Sequence, residues 1–126
     1  MIAADPSAGL IYICNPNNPT GVVVTADEVK QVVEGVPANM PILIDEAYHH
    51  FVDDPRYSSS VDYIKQGKPV IVARTFSKIA ALAAMRIGYA LASPEIIKQM
   101  RPYSAQSVNA LAKWGAVVRA AGVKLD

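Results

Sequence analysis

Apolar residues fall along the chain in short blocks, each followed by a stretch of different rhythm. Gly9-Leu-Ile-Tyr-Ile-Cys14 is a continuous apolar run and reads as a buried strand, closed by the turn chemistry of Asn15-Pro-Asn-Asn-Pro-Thr-Gly21. Thr25 and Glu28 then form a capping-box pattern, with Val29, Val32, Val33 and Val36 at helical spacing behind them. Pro41-Ile-Leu-Ile-Asp45 is a second strand. A short helix is predicted over Ser59–Lys65, after the polar loop Asp53-Asp-Pro-Arg56. Pro69–Thr75 is a third strand and Arg86–Ala92 a fourth. Ser93-Pro94-Glu95 is a helix start with proline at the first helical position. A last helix follows Ser104 or Ser107, with Val108, Leu111, Ala112, Gly115 and Val118 on one face.

The lengths between strands constrain the topology. More than twenty residues separate the first strand from the second and the second from the third, enough for parallel crossovers through helices. Only ten separate Thr75 from Arg86, which is short for a crossover and predicts an antiparallel fourth strand. The fold class is therefore α/β, with a mostly parallel sheet. In open sheets of this kind ligands bind beyond the carboxyl ends of the strands. That edge would gather Asn15–Gly21, Asp45-Glu-Ala-Tyr48 and Ser77-Lys78.

Composition narrows the class of function. The 126 residues hold 12 Lys plus Arg and 11 Asp plus Glu, a formal charge of +1, so no strong field draws nucleic acid or an anionic membrane. At 52 % hydrophobic the chain is not disordered. Its 18 % of charged residues falls below the usual share of about 25 % and leaves apolar surface in want of a neighbour, either more chain or another subunit. Cys14 is the single cysteine, which excludes an internal disulfide or a CxxC metal site and reads as a small buried hydrophobe. Tyr12, Tyr63, Tyr103 and Trp114 read as core or interface aromatics. No apolar stretch approaches the ~18 residues of a membrane span, and Met1–Pro6 lacks the features of a signal peptide, so a cytoplasmic location is expected.

Lys78 lies just past an apolar strand. A lysine beside low-dielectric walls loses its proton more readily and becomes a nucleophile towards carbonyls. Asp45, ending the neighbouring strand, is placed to pair with Lys78 or with a cationic ligand. Two rival chemistries are visible. Pro41–Glu46 has the look of a magnesium-binding strand of an ATPase, but no G-x-x-x-x-G-K-[ST] accompanies it. Asp45, Glu46, His49 and His50 bring together metal-ligand types, as in a metal hydrolase, without the H-E-x-x-H spacing.

Four motifs, Asn15-Pro-Asn-Asn-Pro-Thr-Gly21, Asp45-Glu-Ala-Tyr48, Thr75-Phe-Ser-Lys78 and Arg86-Ile-Gly-Tyr89, stand in the order and at the separations found in fold type I pyridoxal-phosphate aminotransferases of class I/II. The chain resembles the histidinol-phosphate aminotransferase-like group most closely. The resemblance covers nearly all of residues 1–126 and implies part of the large, cofactor-binding domain, a three-layer α/β/α unit. Family subunits are well over twice as long. Their glycine-rich phosphate loop lies upstream of these motifs, and their substrate-carboxylate arginine and small domain lie downstream.

What the resemblance implies is transamination between an amino acid, or an amino-alcohol phosphate such as histidinol phosphate, and a 2-oxo acid. It implies pyridoxal 5'-phosphate as cofactor, a Schiff base on Lys78, and a homodimer. Asp45 matches the carboxylate that pairs with the ring nitrogen, and Asn18 and Tyr48 match the donors to the phenolic oxygen. Arg86 matches the guanidinium on the phosphate, with the hydroxyls of Thr75 and Ser77 beside it. Ala80, Ala81 and Ala84 stand where the family usually carries an aromatic residue and two glycines. Alanine at positive φ is strained, so this loop either turns differently or carries strain. A further alternative is a truncated, non-catalytic piece that keeps only the motifs.

Overall fold

The computed structural model describes residues 7–103. The expected final helix and Trp114 lie outside the described residues. Four strands alternate with helices in the order β1 (Ile11–Cys14), α1 (Ala26–Gly35), β2 (Ile42–Asp45), α2 (Val61–Lys65), β3 (Val70–Thr75), β4 (Gly88–Leu91) and α3 (Pro94–Met100). Single turns of 3-10 helix occur at His49–Phe51, Ala83–Met85 and Arg101–Tyr103. The strands lie side by side in chain order. β1, β2 and β3 are parallel, and β4 runs antiparallel to β3, as expected from the short connection between them.

The hydrophobic pattern explains which face is buried. Side chains alternate across a strand, so Ile42 and Ile44 of β2 point the same way as Val70 and Val72 of β3. All four are fully buried against Val29 and Val33 of α1. Ile11, Ile13, Leu91 and the α2 residues Val61, Tyr63 and Ile64 pack around this cluster. Burying side chains of this size contributes about 1.5–3 kcal/mol each. The opposite face carries Tyr12 in register with Leu43 and Ile71, then Cys14 in register with Asp45 and Ala73.

Helix α1 starts where its capping box predicts. Glu28 N–H donates to Thr25 Oγ1, and Thr25 N–H donates to Glu28 Oε2 at 2.8 Å. The Thr25 N–H, and then the Thr25 hydroxyl, donating to Glu28 Oε2 hold the pKa of the Glu28 carboxyl below its ordinary value. The helix is anchored from outside by the Ala26 N–H, which donates to the Arg56 carbonyl. In α3, Ser93 is the N-cap and proline occupies the first turn.

Three boundaries differ from expectation by two residues. β1 begins at Ile11, with Leu10 exposed before it. β4 begins at Gly88 because Arg86 adopts a left-handed conformation, φ 51°, that cannot continue a strand. α2 begins at Val61 because the Ser59 hydroxyl and the Ser60 N–H are both taken by Glu46. Among the described residues, no helix is long and apolar enough to cross a membrane.

Candidate active site

Because β1, β2 and β3 are parallel and in register, their carboxyl ends meet at one edge. The ladder continues past the strands: Asn15 N–H donates to the Asp45 carbonyl and Glu46 N–H to the Ala73 carbonyl. Every motif that follows a strand is therefore delivered to the same side.

The Asn15–Gly21 loop is held from within. The buried Asn15 amide donates to the Val24 carbonyl at 2.8 Å and accepts from the Val24 N–H at 2.9 Å. Asn17 donates to Thr20 Oγ1, and the Gly21 N–H closes back onto the Asn17 carbonyl at 2.7 Å. Gly21 has φ 72°, a conformation that strains any residue with a Cβ. The Asn15–Pro16 and Asn18–Pro19 peptide bonds are cis. Asn18 takes no part in this internal bonding. It lines a cleft of about 550 Å³ together with Pro16, Val23, Tyr48, Phe51 and Asp53.

Tyr48 joins that cleft to Lys78. Its ring closes one wall, and the Lys78 ammonium lies 4.9 Å from the ring centroid, within range of a cation–π attraction. Asp45 is three residues before Tyr48, and both of its oxygens are engaged. Oδ1 accepts the Ala47 N–H at 3.0 Å and Oδ2 accepts the Tyr12 hydroxyl at 3.1 Å. Lys78 and Asp45 are not paired with each other; among the described residues Lys78 makes no ion pair. Thr75 Oγ1 accepts the Ser77 N–H at 3.0 Å, which turns the chain sharply after β3.

Arg86 lies at the end of the single 3-10 turn Ala83–Met85. Its guanidinium donates to the Ala83 carbonyl at 2.9 Å, inside its own turn. Ala81 stands at φ 54°, so the loop that replaces the expected glycines carries two non-glycine residues in the left-handed region, Ala81 and Arg86. Such positions cost on the order of 1–3 kcal/mol. The loop therefore carries strain, one of the two alternatives expected of it.

A family profile described as Aminotransferase class I and II matches residues 2–122. The chain belongs to this aminotransferase family. It is 46 % identical over 91 residues to a histidinol-phosphate aminotransferase of Caldicellulosiruptor saccharolyticus, covering 72 % of this chain and 25 % of that protein. It is 36 % identical over 119 residues to histidinol-phosphate aminotransferase 2 of Legionella pneumophila, covering 91 % and 32 %. The fold matches a crystal structure of histidinol-phosphate aminotransferase from Sinorhizobium meliloti, determined in complex with pyridoxal-5'-phosphate. That match has a TM-score of 0.70 and 31 % identity, over 80 % of this chain and 27 % of that one. The chain thus spans about a quarter to a third of the length of these relatives.

Within this chain, two features escaped the sequence. The first is a buried ion pair. Glu46 is 1 % exposed; its Oε2 accepts from Arg74 Nη2 at 2.8 Å and Nε at 3.1 Å, its Oε1 accepts the Ser60 N–H at 2.7 Å, and the Ser59 hydroxyl bridges both residues. Burial works against the charge on Arg74, but the hydrogen bonds and charges of Glu46 and Tyr89 together outweigh it and raise its pKa. Around this pair, the Nε2 of His49 and the hydroxyl of Tyr57 are buried with no hydrogen-bond partner among the described residues. Burial, then the charges of Arg74 and His50, lowers the His49 pKa; burial, then Glu46, raises that of Tyr57. With Glu46 committed in this way, no group of three His, Cys, Asp or Glu side chains able to hold a metal ion occurs among the described residues.

The second is Tyr12, expected as a core or interface aromatic. It is 57 % exposed and bonded to Asp45. No signal in the sequence ties Tyr12 to Asp45 or Glu46 to Arg74, since the partners lie 33 and 28 residues apart. Cys14, expected to be buried, is only partly so, and its thiol donates to the Pro16 carbonyl.

Proposed function

We propose that this chain is part of the cofactor-binding domain of a pyridoxal-phosphate-dependent aminotransferase. It would act on an amino acid or an amino-alcohol phosphate, with a 2-oxo acid as amino acceptor, in a homodimer. The observation that carries the reading is Tyr48, which lines a cleft with Asn18 and lies beneath the Lys78 ammonium, with Asp45 three residues before it at the end of β2.

The donor set fits the group. An amine, a carboxylate, an amide and a phenol suit an aldehyde, a ring nitrogen and a phenolic oxygen, and the hydroxyls of Thr75 and Ser77 suit a phosphate. The cofactor, when bound, supplies an electron sink. The chain supplies the rest. Lys78 would supply the amine that holds the aldehyde and the base that moves a proton at the substrate carbon. Asp45, whose remaining lone pairs stay available, would hold a cationic ring nitrogen. Asn18 and Tyr48 would donate to the phenolic oxygen. Arg86 would reach the phosphate by leaving the Ala83 carbonyl, its planar fork suiting phosphate oxygens.

The test is covalent labelling. The chain is mixed with pyridoxal phosphate, reduced with borohydride and digested, and the label is located by mass spectrometry. The reading requires label on Lys78 above all other lysines, and its loss in Lys78→Ala. Equal label over the surface lysines of both proteins overturns it.

A further inference from the structure

We propose that Tyr12 is a positioning residue for Asp45, its hydroxyl fixing the orientation of the carboxylate that faces the cofactor. The proposal rests on the reading of Asp45 given above and adds to it a residue from a different strand. It starts from register. Tyr12 is paired with Leu43 and Cys14 with Asp45, so Tyr12 and Asp45 stand on the same face of neighbouring parallel strands, one step apart along the diagonal. The tyrosine side chain spans that step, and its oxygen ends 3.1 Å from Asp45 Oδ2.

The last torsion of an aspartate is soft and nearly two-fold, so a carboxylate held at one oxygen still turns. Here the Ala47 N–H takes Oδ1 and the Tyr12 hydroxyl takes Oδ2. Two donors on separate oxygens fix the plane of the group. They do not exhaust it, because an ionised carboxylate has about four acceptor positions. Asp45 therefore remains able to accept a further bond from a cationic nitrogen, now in a set direction.

Loss of hydration at the sheet surface, followed by the bond to Asp45, pushes the Tyr12 phenol up to about 12. The hydroxyl thus keeps its proton throughout the neutral range and acts as a donor under all working conditions. At metal sites the outer partner of a ligating group plays the same part, and its removal typically costs 10–100-fold in affinity. Tyr12 is also more than half exposed, so removing its oxygen leaves the core untouched.

The experiment compares the wild-type chain with Tyr12→Phe, Asp45→Asn and Lys78→Ala. Without cofactor, the carbon-13 signal of the Tyr12 ring is followed through alkaline pH. In Asp45→Asn its midpoint is expected to fall from about 12 towards the ordinary 10.0; an unchanged midpoint overturns the contact. With cofactor, Tyr12→Phe is expected to bind pyridoxal phosphate about tenfold more weakly at an unchanged unfolding midpoint. The nitrogen-15 signal of the labelled ring nitrogen is expected to move towards its unprotonated position, which a purely structural role would not cause. Equal affinity and an equal nitrogen signal in Tyr12→Phe and wild type, with the Lys78 label intact, overturn the role of Tyr12 and leave the cofactor reading standing. Absence of the Lys78 label in the wild type removes the cofactor reading and this proposal together.

Discussion

The ammonium of Lys78 sits over the ring of Tyr48, 4.9 Å from its centroid. The two come from the carboxyl ends of different strands, so the contact reports on how β2 and β3 are set against each other. An exposed cation–π pair contributes about 0.5–1 kcal/mol. A double-mutant cycle of Lys78→Met and Tyr48→Leu, read by urea unfolding, is expected to return a coupling energy of about 0.5 kcal/mol. Full additivity would show that the two side chains do not meet in solution.

Glu46→Gln is expected to be far more damaging. The substitution keeps the shape and most hydrogen bonds but leaves the Arg74 guanidinium, only 16 % exposed, without its counter-charge. Breaking one side of a buried pair costs about 3–5 kcal/mol. Urea unfolding should show a loss of that order, whereas Glu34→Gln, which disrupts the exposed pair with Lys30, should change stability by less than about 0.5 kcal/mol.

Stability should also fall between neutral and mildly acid pH. The folded His49 value lies below the ordinary 6.5, owing to burial and then to the charges of Arg74 and His50. The unfolded chain therefore binds a proton that the folded chain resists, and the stability present above the ordinary value is lost as pH drops towards the folded one. Urea midpoints at about pH 7.5 and about pH 5.5 measure this, and His49→Gln should flatten the difference.

Ala81→Gly should stabilise the chain. Alanine at φ 54° is strained, and glycine relieves it at a smaller entropic cost in the unfolded state. The expected gain is about 0.5 kcal/mol in thermal or urea unfolding, with the opposite sign for Gly21→Ala, where φ is 72°.

The parts of this fold that were legible in the sequence are those set by neighbours in the chain. The runs ending at Cys14, Asp45 and Thr75 gave three strand ends correctly, because an apolar run must stop where turn residues begin. The direction of β4 followed from a connection too short to cross over. The Thr25–Glu28 box was visible because both partners lie within one helical turn. Side-chain pairings between strands were not legible: whether Glu46 turns inward to Arg74 or outward to a ligand depends on register and on the space beneath the sheet. The orientation of Arg86 was not legible for another reason. The left-handed turn at Arg86 is a property of the whole 76–87 connection, and the alanines in it gave warning of strain without fixing where the guanidinium would go.

The Asn15 amide engages both backbone groups of Val24 at once, in the manner of a strand partner supplied by a side chain. The eight residues between them are thereby closed into a ring with a two-bond clasp, sealed at a position 1 % exposed. Such a ring has no loose end to fray. Its amides should exchange with solvent together, when the clasp lets go, so that the wall of the cleft behaves as one hinged plate whose opening is governed by a single buried side chain.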